Sequence, residues 1–262
     1  MNETESNWQA YERMGMEAFP AFVEERRLGG VFRAAGGLNY RNSSVTLLDP
    51  EAADLDTLIA ETQGFSEAHG IEPVLRVPRL WPRVDENLAA RGWTVFREAG
   101  VYDMQLPQGG TRDEGLIAGV SVEGWLAFQL ASRDLDESGR TKFREIMLLV
   151  PERAGRLHYR LEEGGDDLAS AMLWIDGSYS ALMNMIVSPA ARGKGIGKRF
   201  LAALLEHAAA KGCTTMWLQV YLKNSPAIAL YENAGFRKVY EYAYWRFAPV
   251  NPTAHVRNRI MG

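Results

Sequence analysis

Phe200, Leu201, Leu204, Leu205 and Ala208 recur at helical spacing, so residues 198–210 predict a helix with one apolar face. Residues 122–131 and 136–149 also predict helices. Residues 156–162 and 168–175 predict strands joined by the turn Glu163-Gly164-Gly165-Asp166. Asp176-Gly177 is a hairpin dipeptide and leads into a strand over 179–187, which Pro189 ends. A strand over 215–221 and a helix over 226–233 follow, with Ser225 as N-cap, Pro226 at the first helical position and Gly235 as the stop. A last strand covers 236–247.

The order of these elements occurs twice. Sliding the chain by 143 positions lays Gly92-Trp93 on Gly235-Phe236, and Leu75 and Val77 on Leu218 and Val220. The first half then reads as a strand ending near Leu48, a helix over 51–69, a strand over 73–77, a helix ending at Arg91 and a strand over 93–106. The pattern predicts an α/β fold of two similar halves, each a twisted mixed sheet flanked by helices and related by an approximate two-fold axis. The joint falls at Pro107-Gln108-Gly109-Gly110, which divides the chain into residues 1–110, 111–250 and a tail of 251–262.

Composition narrows the function. Apolar residues make up 47% of the 262 positions and charged ones 24%, which excludes a disordered chain. The 29 basic and 33 acidic residues give a net charge of −4, which offers nucleic acid no general attraction and mildly favours a cationic substrate. The one cysteine, Cys213, forbids an intrachain disulfide and fits a cytoplasmic location. It reads as a buried small hydrophobe. The segment MNETES lacks the features of a signal peptide, and no apolar stretch has the roughly 20 residues of a membrane helix. The histidines lie far apart, so no metal site is expected.

The strongest chemical signal joins the strand over 179–187 to the next helix. Arg192, Gly193, Lys194, Gly195, Ile196, Gly197 and Lys198 place free backbone N–H groups, glycines and the positive end of a helix dipole at one spot, a ready site for a pyrophosphate. A Walker loop would need Gly at position 192 and Ser or Thr at 199, where both residues are Arg. A G-x-G-x-x-G fingerprint from Gly193 would need Gly at 198, which is Lys. The next strand–helix unit carries Asn224, Ala227, Leu230, Tyr231, Gly235 and Phe236.

Together these segments resemble the GCN5-related N-acetyltransferase (GNAT) superfamily over residues 112–247. Arg192, Gly195 and Gly197 fit its acyl-CoA loop, and the Asn224–Phe236 set fits its next segment. The first half, with Arg41-Asn42-Ser43-Ser44-Val45, resembles the degenerate N-terminal half of tandem members. The resemblance implies an acyltransferase using acetyl-CoA as co-substrate, with a small-molecule amine or a protein amino group as acceptor. It admits a homodimer. Main-chain groups of Met185, Ile186 and Val187 would meet the pantetheine arm, with an N–H near Ile186 on the thioester oxygen. The amides of residues 193–198 would hold the pyrophosphate. Asn224 would bond the pantetheine, and Tyr231 would protonate the departing thiolate.

Two features depart from this pattern. Residues 181–184 read Ala-Leu-Met-Asn, with no carboxylate where some members carry a base; Glu123, Glu145 and Asp176 are the alternatives. At the 143 offset Leu88 replaces Tyr231, Trp81 replaces Asn224 and Asp49 replaces Arg192, so the first half is expected to be a structural wall of the substrate cleft. Trp125, Phe128 and Phe143 are spaced for helix cores, with substrate contact as an alternative. Tyr242 and Tyr244 share one face of the last strand, and one face of that strand could line the acceptor cleft. A non-catalytic acyl-CoA sensor or scaffold is the alternative function.

Overall fold

A computed structural model describes residues 7–37, 39–107, 117–149 and 155–247. The first half runs α1 (Asn7–Ala18), β1 (Val23–Arg27), β2 (Gly30–Ala34), β3 (Ser44–Leu47), α2 (Leu55–Ala68), β4 (Val74–Pro78), α3 (Pro82–Ala90) and β5 (Trp93–Gln105). The second runs β6 (Ala118–Gly119), α4 (Val122–Ala131), α5 (Glu137–Leu149), β7 (Arg156–Glu163), β8 (Asp166–Asp176), β9 (Tyr179–Val187), α6 (Ile196–Ala210), β10 (Thr215–Tyr221), α7 (Ser225–Asn233) and β11 (Arg237–Phe247). A single 3-10 turn, Pro189–Ala191, precedes α6. The linker positions 108–110 and the tail 251–262 lie outside the described residues.

The two halves share one mixed sheet of eleven strands, in the order β1-β2-β3-β4-β11-β5-β10-β9-β8-β7-β6. The final strands are exchanged. β11, the last strand of the second half, lies against β4 of the first, and β5 lies against β10 of the second. The expected two mixed sheets are therefore merged, each half completed by a strand of the other.

The exchange obeys the internal repeat. Shifting by 143 carries the pair Val74–Arg246 onto the pair Trp217–Asp103, and Pro78–Tyr242 onto Tyr221–Ala99. β5 and β11 run antiparallel at the centre, with one irregularity at Val239 and one at Phe96, again 143 apart. The repeat fails at the parallel strands. Val45 pairs with Leu75 at a separation of 30, whereas Leu182 pairs with Leu218 at 36. Six added residues therefore lie between the second-half partners, around the glycine loop, and the position-by-position match of Arg192 to Asp49 does not hold.

Strand alternation divides the core between the two faces of the sheet. Trp217, Met183, Tyr242 and Tyr244 pack with Trp125 and Phe143 under α1, α4 and α5. Leu182, Met216 and Leu218 pack with Phe200 and Leu204 of α6 on the other face. The first half continues that second layer, with Leu75, Val77, Ala243 and Trp245 beneath α2 and α3. Trp125, Phe128 and Phe143 are core residues, with Trp125 and Phe143 stacked at 6.2 Å. Both faces of β11 are buried from Tyr242 to Trp245, so neither is an open cleft wall. Cys213 is buried, and burial raises its thiol pKa.

α1, which the sequence pattern did not predict, ties the halves together. Tyr11 stacks on Trp217 at 5.0 Å and donates to Asp103 at 2.7 Å. Glu12 is buried on Arg76 of β4 and accepts from Tyr240 of β11 at 2.7 Å. Among the described residues no helix is long and apolar enough to cross a membrane.

His158 on β7 is buried 4.9 Å from Trp125, and its Nε2 accepts from Arg156 Nε at 3.2 Å. Burial, then the Arg156 charge, pulls its pKa from 6.5 to about 4. The unfolded chain thus gains this proton first as the solution is acidified. The neutral histidine's contribution to stability is complete above pH 6.5 and drains away toward pH 4. The melting temperature should fall between pH 7 and pH 4.5, and His158→Gln should show a shallower fall. An equal fall in both proteins would assign the acid sensitivity to other groups.

Candidate active site

The site is built where β9 leaves β10. The two strands pair in parallel only through Leu182–Leu218, although β9 runs on to Val187 and β10 to Tyr221. The cause is a bulge on β9: Ser170 faces Ile186 but Met172 faces Met183, and Asn184 sits at φ 52°. Beyond the bulge, Ile186 and Val187 therefore stay paired with β8 on one side only. Their other edge is an open strand edge, able to receive an extended ligand by main-chain hydrogen bonds.

A polar cluster from α4 holds the bulge. Gln129 is fully buried and donates from Nε2 to Asn184 O at 2.8 Å and to Ser170 Oγ at 2.7 Å. Arg133 donates to Gln129 Oε1 at 2.6 Å and lies 3.4 Å from Asn184 Oδ1. Asn184 Nδ2 reaches Met147 Sδ at 3.8 Å. None of Gln129, Arg133 or Asn184 was singled out from the sequence. The available signal was a glutamine and an arginine continuing, at i+4 and i+8, the buried row begun by Trp125.

The glycine loop follows β9. Gly193 and Gly195 both adopt φ 76°, a left-handed backbone that side-chain-bearing residues rarely take. A Cβ at either would meet nothing within 4 Å, so the space above the loop is open. Gly195 is the N-cap of α6 and supplies no side-chain cap. The first turn's dipole and its free N–H groups face outward. Lys198 is an exception: its amide donates to Gly195 O at 3.1 Å, which limits the amide cradle to residues 193–197 and leaves Lys198 only its side chain. Arg192 is exposed and donates from Nε to Val187 O at 3.3 Å. Arg199 pairs with Glu163.

α7 completes the site. Its N-cap is Asn224, one residue earlier than predicted, because the Asn224 Oδ1 accepts from Ala227 N at 3.3 Å. The Asn224 NH2 group is thus the donor end. A Cβ on Gly197 would lie 3.5 Å from Leu230 and 3.6 Å from Val187, so the end of β9, the start of α6 and the middle of α7 converge. Tyr231, next to Leu230, packs edge-on to Phe236 at 5.8 Å. Burial raises the pKa of its phenol to about 12, against the opposing charge of Arg41. The hydroxyl has no hydrogen-bond partner among the described residues.

The equivalent positions of the first half lack these features. Asp54 caps α2 with its own carboxylate, accepting from Thr57 N at 2.9 Å, so that helix start is occupied by a negative charge. Leu88 is the buried residue of α3. Of the three carboxylates considered as bases, Asp176 pairs with Arg13 at 2.9 Å at the opposite end of the β8–β9 hairpin, and Glu145 is exposed on α5. Glu123 lies in the first turn of α4 beside His158. The structure brings none of them to Tyr231. Among the described residues no group of three His, Cys, Asp or Glu could hold a metal ion.

Residues 123–236 match a family model described as the acetyltransferase (GNAT) family. Those residues form an acetyltransferase domain of the GNAT type. The chain is 33% identical over 82 residues to the [ribosomal protein bS18]-alanine N-acetyltransferase of Escherichia coli K12, a match covering 31% of this chain and 55% of that protein. The chain therefore spans about half the length of that curated relative. A solved GCN5-related N-acetyltransferase from Kribbella flavida shares the fold at TM-score 0.64 and 14% identity, over 92% of this chain and 93% of its own. A tandem GNAT protein from the clavulanic acid biosynthesis pathway does so at TM-score 0.57 and 14% identity, over 92% and 88%. The similarity of fold to both structures runs through both halves of the chain.

Proposed function

We propose that this protein is an acetyl-CoA-dependent N-acetyltransferase, whose second half binds the co-substrate and whose first half walls the acceptor cleft. The observation that carries the reading is the open edge of β9 running directly into an uncapped, glycine-built helix start. A pantetheine arm can add to that edge as a short strand, and the amides of residues 193–197 suit a pyrophosphate. The Lys194 and Lys198 side chains add positive charge, and Asn224 offers its NH2 group to the pantetheine. When bound, the co-substrate supplies an activated acyl group as a thioester.

The chain's own groups then have three tasks. The main-chain N–H near Ile186 stabilises developing negative charge on the carbonyl oxygen. The Tyr231 hydroxyl, neutral well above physiological pH, holds the proton that a departing thiolate needs. The amine arrives from the α4 face through the gap that the Asn184 bulge opens. With no carboxylate beside Tyr231, the amine's own proton leaves through solvent. Thiol release from acetyl-CoA that depends on added amine tests the proposal; binding of acetyl-CoA without release under any amine would favour the sensor reading.

Gly195→Glu should weaken acetyl-CoA binding at least tenfold, about 1.4 kcal/mol or more, because it places a carboxylate where the phosphates must sit. Gly195→Ala separates the causes, since it carries the same left-handed strain without the charge. Calorimetric affinity unchanged in Gly195→Glu would move the phosphate site elsewhere.

A further inference from the structure

His158 on β7 carries a hydrogen-bond donor that the fold leaves unused. An arginine can only donate, so the contact from Arg156 Nε at 3.2 Å makes His158 Nε2 the acceptor. Burial, then the Arg156 charge, keeps the imidazole uncharged in neutral solution, so its single proton is on Nδ1. Arg156 holds this arrangement, since its Nη2 donates to Met147 O at 2.6 Å. Among the described residues the Nδ1–H has no acceptor, although His158 is only 8% exposed. A buried donor left unpaired is costly, and an acceptor from outside the chain removes that cost.

The donor has room before it. His158, Arg156, Ser121 and Val122 help to line a cavity of about 580 Å³ between β7 and the segment that runs from β6 into α4. That volume falls in the range of small-ligand pockets. α4 begins at the cavity, where the Ser121 hydroxyl caps the helix by accepting from Gly124 N at 3.2 Å. The amides of Val122 and Glu123 precede the first bonded turn and have no partner within the helix, and the positive end of its dipole is there. The opposing charge is the Glu123 carboxylate, exposed to solvent in the same turn. The cavity is separate from the glycine loop: His158 lies opposite Met172, and Met172 opposite Met183 of β9. Two strand spacings, about 10 Å, therefore lie between His158 and β9.

We propose that the cavity at the start of α4 is a second ligand site, which takes a small oxyanion on the His158 Nδ1–H and the first amides of the helix. Phosphate and carboxylate groups share the chemistry required, oxygens that accept from N–H donors beside a helix N-terminus. The site does not depend on the acetyltransferase reading, and its ligand does not compete with acetyl-CoA.

The test adds inorganic phosphate, sodium acetate or sodium chloride, at matched ionic strength, to protein carrying isotope-labelled histidine. Nuclear magnetic resonance follows the His158 ring nitrogens, assigned by their loss in His158→Gln. Phosphate or acetate should move the Nδ1 signal saturably, and the one that does so identifies the anion; chloride should not move it. Ser121→Asp keeps a helix cap but adds a negative charge at the cavity, so it should weaken binding at least about tenfold. Ser121→Asn keeps the cap without the charge and should bind as the wild type does. No saturable shift with either oxyanion, an equal shift with chloride, undiminished binding in Ser121→Asp or displacement of the anion by acetyl-CoA would each overturn the second site.

Discussion

Glu12→Ala should cost about 3–5 kcal/mol of folding stability, the loss expected when one member of a buried ion pair is removed. Glu12 is 2% exposed and Arg76 4%. Arg76 donates to both carboxylate oxygens, one at 2.9 Å, and its guanidinium lies 3.7 Å over the ring of Tyr242. The Tyr240 hydroxyl donates to the same carboxylate. Burial opposes the charge on Arg76, and Glu12 outweighs it, so the guanidinium is held firmly protonated. Without Glu12 that charge is left in the core with no counterion, and Tyr240 loses its acceptor. The damage falls at the exchanged strand, because Arg76 is on β4 and Tyr240 and Tyr242 are on β11. Urea unfolding should show the loss. The double variant Glu12→Leu, Arg76→Met should recover much of it, since removing both charges removes the desolvation cost as well. A loss below about 1 kcal/mol in Glu12→Ala would mean that the pair does not hold the joint.

This pair also marks the limit of what the sequence conveys. A glutamate in the middle of residues 7–18 reads as a solvated position, and it weakens the apolar pattern that would have predicted α1. It is buried only because an arginine 64 positions away lies above it. Where burial is set by a strand's own alternation, the reading was accurate: α4, β9 and β10 begin and end at the predicted residues. The repeat was legible because both halves preserve their glycine and apolar positions. The exchange of β5 and β11 was not, since a strand's pattern states which face is buried but not which neighbour it pairs with.

The candidate site divides in the same way. The glycine loop was legible because a left-handed backbone and an open helix start require glycine at 193 and 195. The bulge at Asn184 was not, for an asparagine in a strand carries no such requirement. The offset arithmetic misled at one place, the six residues added around the loop, where a constant shift matched Asp49 to Arg192.

Tyr231→Phe should lower kcat by roughly 10²-fold, the cost of losing a general acid, while acetyl-CoA affinity hardly changes. The substitution removes the hydroxyl and keeps the ring that packs on Phe236. The proton argument has a sign that can be checked. Burial raises the phenol pKa to about 12, so Tyr231 stays protonated throughout the range in which the amine becomes free. Activity should therefore rise with pH as the amine deprotonates, with no loss attributable to Tyr231 below about pH 10. Arg41 pulls the phenol the other way, so Arg41→Gln should move any alkaline limb further up, never down. Leu88, at the matching place in the first half, is the control: Leu88→Ala should lower stability and leave turnover per folded molecule intact. Full turnover in Tyr231→Phe would make Tyr231 a packing residue of α7 and would require another proton source. A change confined to KM would make its hydroxyl a positioning group for the acceptor. A fall in kcat alone, with the co-substrate still bound at normal affinity, is the result that only proton donation to the leaving thiolate explains.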